Sequence, residues 1–276
     1  MNTNLLQIVC VGNSHLVSFS KSLMQSLEGV KNVSIEFWPV QYMATQWDNF
    51  KENSLLTSPK FIPDNPAGLK TGDVQIKNES VLILVGLELS GSYIFTQFGK
   101  LLYANPNEME NGYSHSPLIP YVYGNDVNHE AGMSHVSKRN AQSYSIAMCN
   151  KMFAISISTH LSKLLQLRSA GLFKHVYSVP APNMPEMVAR WRLGDDYCDS
   201  GCQRVINDAY RKTLGELILK MDVSQNVITH DIKFENKLGF IENTYANSHA
   251  LNDNHVNPSY YKSIVTEILD KINKIE

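Results

Sequence analysis

Short apolar runs recur along this chain with longer amphipathic stretches between them, the pattern of a parallel sheet covered by helices on both faces. Leu5 to Val11 is the first run, followed by Val33 to Val40, Val81 to Val85, Val176 to Val179 and Val227 to Thr229. Each is rich in β-branched or aromatic residues and lies near a Gly, Pro, Asn or Asp breaker, so five parallel strands are expected. Ser14 to Leu27, Ser137 to Ala170 and Val205 to Met221 read as helices. Ser259 to Ile275 closes the chain as another, with Ile264, Val265, Ile268, Leu269 and Ile272 at helical spacing. The expected architecture is an α/β fold, a three-layer α/β/α sandwich.

Two stretches break the alternation. Asp48 to Asn78 is polar and turn-rich, with Pro59, Pro63 and Pro66, and Tyr103 to His135 carries Pro106, Pro117 and Pro120 among several Asn and Gly residues. Both read as insertions on the rim of the sheet, one of them expected to overhang a binding site. No repeat or low-complexity tract divides the chain, and residues 1–276 are expected to form one domain.

Composition narrows the function. With 24 basic and 26 acidic residues the net charge is −2, which leaves no positive excess for a phosphate backbone or an anionic membrane. Neither nucleic acid nor membrane is an expected partner. No run reaches the ~20 apolar residues of a membrane helix. The apolar start lacks a basic flank and a small-residue cleavage site, so a signal peptide is not supported and the cytoplasm is the default location. Four cysteines are too few for a disulfide framework in a chain of this length. Cys10 reads as a buried thiol, and the close pair Cys198 and Cys202 has no second pair at ligand spacing, so no metal site is expected.

Candidate chemistry lies at the two ends of the chain. Ile8 to Gly12 is a strand running into a tight turn, Asn13-Ser14-His15, and then a helix. In an open parallel sheet ligands bind at the carboxyl ends of strands, where Ser14 stands. A serine in a first helical turn has unpaired backbone N–H groups and the positive end of the helix dipole beside it, which suits attack on a carbonyl. The competing reading is that Asn13 or Ser14 simply caps the helix. Near the other end, Leu251-Asn252-Asp253-Asn254-His255-Val256-Asn257-Pro258 is a polar loop turning into the final helix. His255, flanked by Asn and Asp, is a candidate general base, because imidazole exchanges protons near neutral pH; a solvated loop histidine is the plainer alternative.

Gly12-Asn13-Ser14-His15, at the end of the first strand, resembles the first sequence block of the SGNH/GDSL hydrolases. His255-Val256-Asn257 followed by Tyr260-Tyr261 resembles their last block. The resemblance implies a flavodoxin-like sheet, Ser14 as nucleophile with its own N–H in the oxyanion hole, and His255 as base. The sequence departs from the pattern at the acid, since Asn252 stands three residues before His255, where the family has Asp, and Asp253 is one position late. Asn252 would orient the imidazole through its side-chain oxygen, or Asp253 would do so if the loop is shifted. A second departure is Gly86-Leu87-Glu88 after the strand Val81 to Val85, where Leu87 replaces the expected asparagine. Gly86 would then supply a backbone N–H, with Asn13 and Glu88 as further polar candidates. Gly124-Asn125-Asp126 reads as a turn.

These readings converge on a serine esterase or deacetylase that cleaves a short acyl ester of a sugar or small alcohol through an acyl-serine, with no cofactor. The alternative is a weak or inactive relative that binds a glycan or another ligand in the same cleft, motivated by Leu87 and Asn252. Oligomeric state is left open.

Overall fold

The computed structural model describes residues 6–39, 55–56, 74–76, 80–86, 146–193, 195–199, 201–229, 232–250, 253 and 255–273. Its centre is a parallel sheet built from β1 (Leu6–Gly12), β2 (Val33–Pro39), β5 (Val81–Val85) and β6 (His175–Val179), in the order β2-β1-β5-β6. A separate antiparallel pair joins β3 (Leu55–Leu56) to β4 (Val74–Gln75). It falls in the first expected insertion. Most of that insertion, and all of residues 103–135, lie outside the described residues.

The helices are α1 (Leu16–Ser26), α2 (Ile146–Ser169), α3 (Glu186–Leu193), α4 (Asp195–Asp199), α5 (Cys202–Lys220) and α6 (Pro258–Asn273). Strand residues alternate between two cores. Ile8, Cys10, Ile83, Val85, Tyr177 and Val179 face α1 and α6. Val9, Val11, Leu82, Leu84 and Val176 face α2 and α5. This is the expected three-layer arrangement, and burial on both faces is why the strands read as unbroken apolar runs. The step from β1 to β2 goes one way along the sheet and the step from β5 to β6 goes the other. Right-handed crossovers therefore put α1 and α2 on opposite faces.

Four of the five expected strands form. The fifth, Val227 to Thr229, is reduced to one parallel bridge between Val227 and Ser178. Ser178 N–H donates to Asn226 O at 2.7 Å and Ile228 N–H to Ser178 O at 2.9 Å. The next acceptor on the β6 edge, Val176 O, is satisfied by the side-chain Nδ2 of Asn226 at 2.8 Å. The apolar run is short, and a side chain takes over where a longer strand would continue the ladder. The helices α3 and α4 had no counterpart in the expected pattern. Arg190 holds them together, donating to Glu186, Asp195 and Asp199 at 2.8 Å each.

Among the described residues, no helix is long and apolar enough to cross a membrane.

Candidate functional site

The sheet reverses direction of growth between β1 and β5, and their carboxyl ends lie side by side, with Gly12 in register with Val85. Such a reversal leaves a crevice between the first crossover and the next, the usual ligand position in open α/β sheets. Gly12 permits the approach, because a Cβ there would stand 2.6 Å from Val85 O and 3.2 Å from Leu16 Cβ. The chain then turns through Asn13-Ser14-His15 into α1.

Asn13 makes that turn. Its Oδ1 accepts from His15 N–H at 3.0 Å, its backbone oxygen accepts from Leu16 N–H at 2.9 Å, and its Nδ2 donates across to Gly86 O. Neither Asn13 nor Ser14 is the cap expected as the competing reading: the N-cap position of α1 is His15, without a side-chain cap bond, and Asn13 closes the turn ahead of it. Ser14 is exposed, and its hydroxyl has no hydrogen-bond partner among the described residues. Its side chain is not consumed by the helix start.

Gly86 sits at the end of β5 with φ +69°, in the left-handed region. A Cβ on it would collide with Asn13 Oδ1 at 2.5 Å and press on the His15 ring carbon Cδ2 at 3.1 Å. The expectation that Gly86 N–H serves an oxyanion meets a competing bond: this N–H donates to Val179 O at 2.9 Å, extending the β5–β6 ladder by one rung. Gly86 instead anchors Asn13 through its carbonyl.

The second half of the site comes from the loop before α6. Asn257 N–H donates to Tyr245 O at 2.8 Å, and Asn247 N–H to His255 O at 2.9 Å, flanking an antiparallel bridge between Ala246 and Val256. Inside this closed loop Asp253 Oδ1 accepts from His255 N–H at 3.0 Å and from His255 Nδ1–H at 2.6 Å. Its other oxygen accepts from Asn247 Nδ2 at 3.0 Å and Ser248 Oγ at 2.9 Å. Partial burial pushes the Asp253 carboxyl up, but the bonds from Asn247, the His255 backbone, the His255 ring and Ser248 together outweigh it and bring the pKa down to about 2. A carboxylate is acceptor only, so it fixes the proton of His255 on Nδ1 and leaves Nε2 as the ring's acceptor.

Of the two orienting residues read from the sequence, Asp253 is the one among the described residues. Asp253 occupies His255 Nδ1 although it stands two residues ahead and not three. An aspartate two residues before an N–H closes an Asx-turn, and here the same oxygen that closes the turn also takes the ring proton. Asn252 lies outside the described residues, as do Leu87 and Glu88.

The two halves meet at His15. Its ring stands edge-on to that of His255, with centroids 5.1 Å apart and planes at 61°. Residues 240 positions apart in sequence are in contact, His15 being the immediate neighbour of Ser14. No family model matches the sequence, and no curated protein matches it. Among solved structures the chain is similar to the extracellular lipase of Streptomyces rimosus. That similarity spans 96% of this chain and 99% of the lipase, at 10% identity and a TM-score of 0.42.

Sequence reasoning missed Asn247 and Ser248 as supports of Asp253, and the contact of His15 with His255. A polar Asn-Ser pair five and six residues before an aspartate carries no periodic signal. Among the described residues, no group of three or more His, Cys, Asp or Glu side chains could hold a metal ion.

Proposed function

We propose that the chain is a serine ester hydrolase acting on a short acyl ester of a sugar or small alcohol, with Ser14 as nucleophile, His255 as base and Asp253 as the orienting acid. One observation carries this reading: the Asp253–His255 pair, with Nε2 left as acceptor, stands beside the exposed serine turn at the point where the sheet reverses. Ser14 Oγ bonds to the ester carbonyl carbon as its proton passes to His255 Nε2. The carbon–alkoxy bond then breaks, and the same proton leaves with the alcohol. Water, deprotonated by Nε2, attacks the acyl-serine, and Ser14 recovers its proton as the acid departs. Charge on the carbonyl oxygen is met by Ser14 N–H at the start of α1, the donor that remains from the pair expected for an oxyanion hole.

A second reading, a ligand-binding protein with little or no turnover, draws on the engagement of Gly86 N–H by Val179 O. Loss of one oxyanion donor costs about a hundred- to a thousandfold in rate in serine proteases. Short-chain p-nitrophenyl esters and a fluorophosphonate probe separate the two. Turnover and labelling that disappear in Ser14→Ala are expected of the hydrolase. Equal signal in wild type and mutant would leave the binding reading.

A further inference from the structure

We propose that His15 is a positioning residue for His255: its ring, packed against Gly86, sets the tilt of the His255 imidazole. This rests on the ester-hydrolase reading above.

Among the described residues, His255 is held by one ring bond, from Nδ1 to Asp253. A single hydrogen bond fixes one ring atom and leaves rotation about the line of that bond. The edge contact with His15 removes this freedom, and His15 is itself well fixed. Its residue is only 8% exposed, its backbone N–H is bonded to Asn13 Oδ1, and its carbonyl accepts from Phe19 N–H at 3.3 Å in α1. Gly86 leaves room for the ring, since a Cβ there would lie 3.0 Å from His15 Cβ and 3.1 Å from Cδ2. The packing chain therefore runs from the end of β5 through His15 to the imidazole.

A phenyl ring would fill the same space, so packing alone does not call for histidine. The role is therefore one of shape and edge contact, with the ring centroids 5.1 Å apart, and His15→Phe is the conservative replacement that should keep it.

The test measures kcat and KM for p-nitrophenyl acetate at one pH, together with the NMR chemical shifts of the His255 ring, in wild type, His15→Phe and His15→Ala. Circular dichroism checks that each variant is folded, and His15→Gln replaces any that is not. His15→Ala is expected to lower kcat about ten- to a hundredfold with KM nearly unchanged, the scale of a misplaced catalytic group. His15→Phe should recover most of that loss, and the His255 ring shifts should move in His15→Ala and return towards the wild-type values in His15→Phe. Unmoved ring shifts, or an unchanged kcat, in His15→Ala would overturn the proposal. Esterase turnover that survives Ser14→Ala would instead end the hydrolase reading, while the ring shifts still decide whether His15 sets the imidazole.

Discussion

Asp253 concentrates more of the site's order than any other described side chain, because both of its oxygens accept two hydrogen bonds each. Asp253→Ala is expected to lower kcat by about 10⁴-fold, as loss of the orienting acid does in serine proteases. Asn252→Ala should cost far less. The reverse ranking in steady-state kinetics would reassign the orienting role. The same bonds link the site to acid stability. The folded carboxyl has a pKa of about 2, below its ordinary value of 3.8, so its contribution is complete above the ordinary value and is lost as pH falls through about 2. Following unfolding by circular dichroism as pH falls from about 5 to about 2, Asp253→Asn should show a shallower loss of stability than wild type. Equal slopes would mean that the carboxylate bonds are not formed in solution.

At the scale of elements, the site depends on α1 and α6 packing side by side on one face of the sheet. Phe19, one turn beyond His15, meets Tyr261 edge-on with centroids 5.6 Å apart. Tyr260 packs against Phe234 and Tyr245, tying α6 to the loop that carries Asn247 and Ser248. Asn257 caps α6, with its Oδ1 accepting from Tyr260 N–H at 3.3 Å, and Pro258 takes the first helical position, where a missing N–H costs nothing. Its Nδ2 also donates to Thr244 O at 2.9 Å, so the cap joins helix and loop. Tyr261 is fully buried, and among the described residues its hydroxyl has no partner. Tyr261→Ala should lower stability by about 3–5 kcal/mol through the cavity it leaves. Tyr261→Phe removes only the unpaired hydroxyl, so thermal melting should show an equal or higher Tm. A marked drop would reveal a partner for that hydroxyl.

At the scale of the molecule, the centre of the sheet is fully enclosed, with no exposed surface on Val9, Cys10, Leu82 or Ile83. Cys10 lies in the middle of β1 with no exposed surface, and burial pushes its thiol well above the ordinary range. Cys149 and Cys198 are also buried, the latter with its pKa pushed up to about 12 by burial. Alkylation of Cys10 should therefore require global opening, with a rate in denaturant that follows the loss of circular dichroism. Cys10 modified faster than the protein unfolds, read by mass spectrometry, would mean that the sheet opens locally between β1 and its neighbours.

The hydrophobic pattern by itself determined the layered α/β class and four strands of the central sheet. Apolar runs of this length are forced into a doubly covered parallel sheet, and the intervening amphipathic stretches into its covers. It also marked the serine turn and the histidine loop, because Gly, Asn and Pro at strand and helix ends declare turns locally. Contacts across the chain were beyond it. The carbonyl of Gly86 held by Asn13, the engagement of Gly86 N–H by Val179, Asp253 on the imidazole, and His15 against His255 all depend on where strand ends align and how α6 lies on α1. Those placements arise from packing two cores against one sheet, and a spacing rule read along a single chain has no access to them.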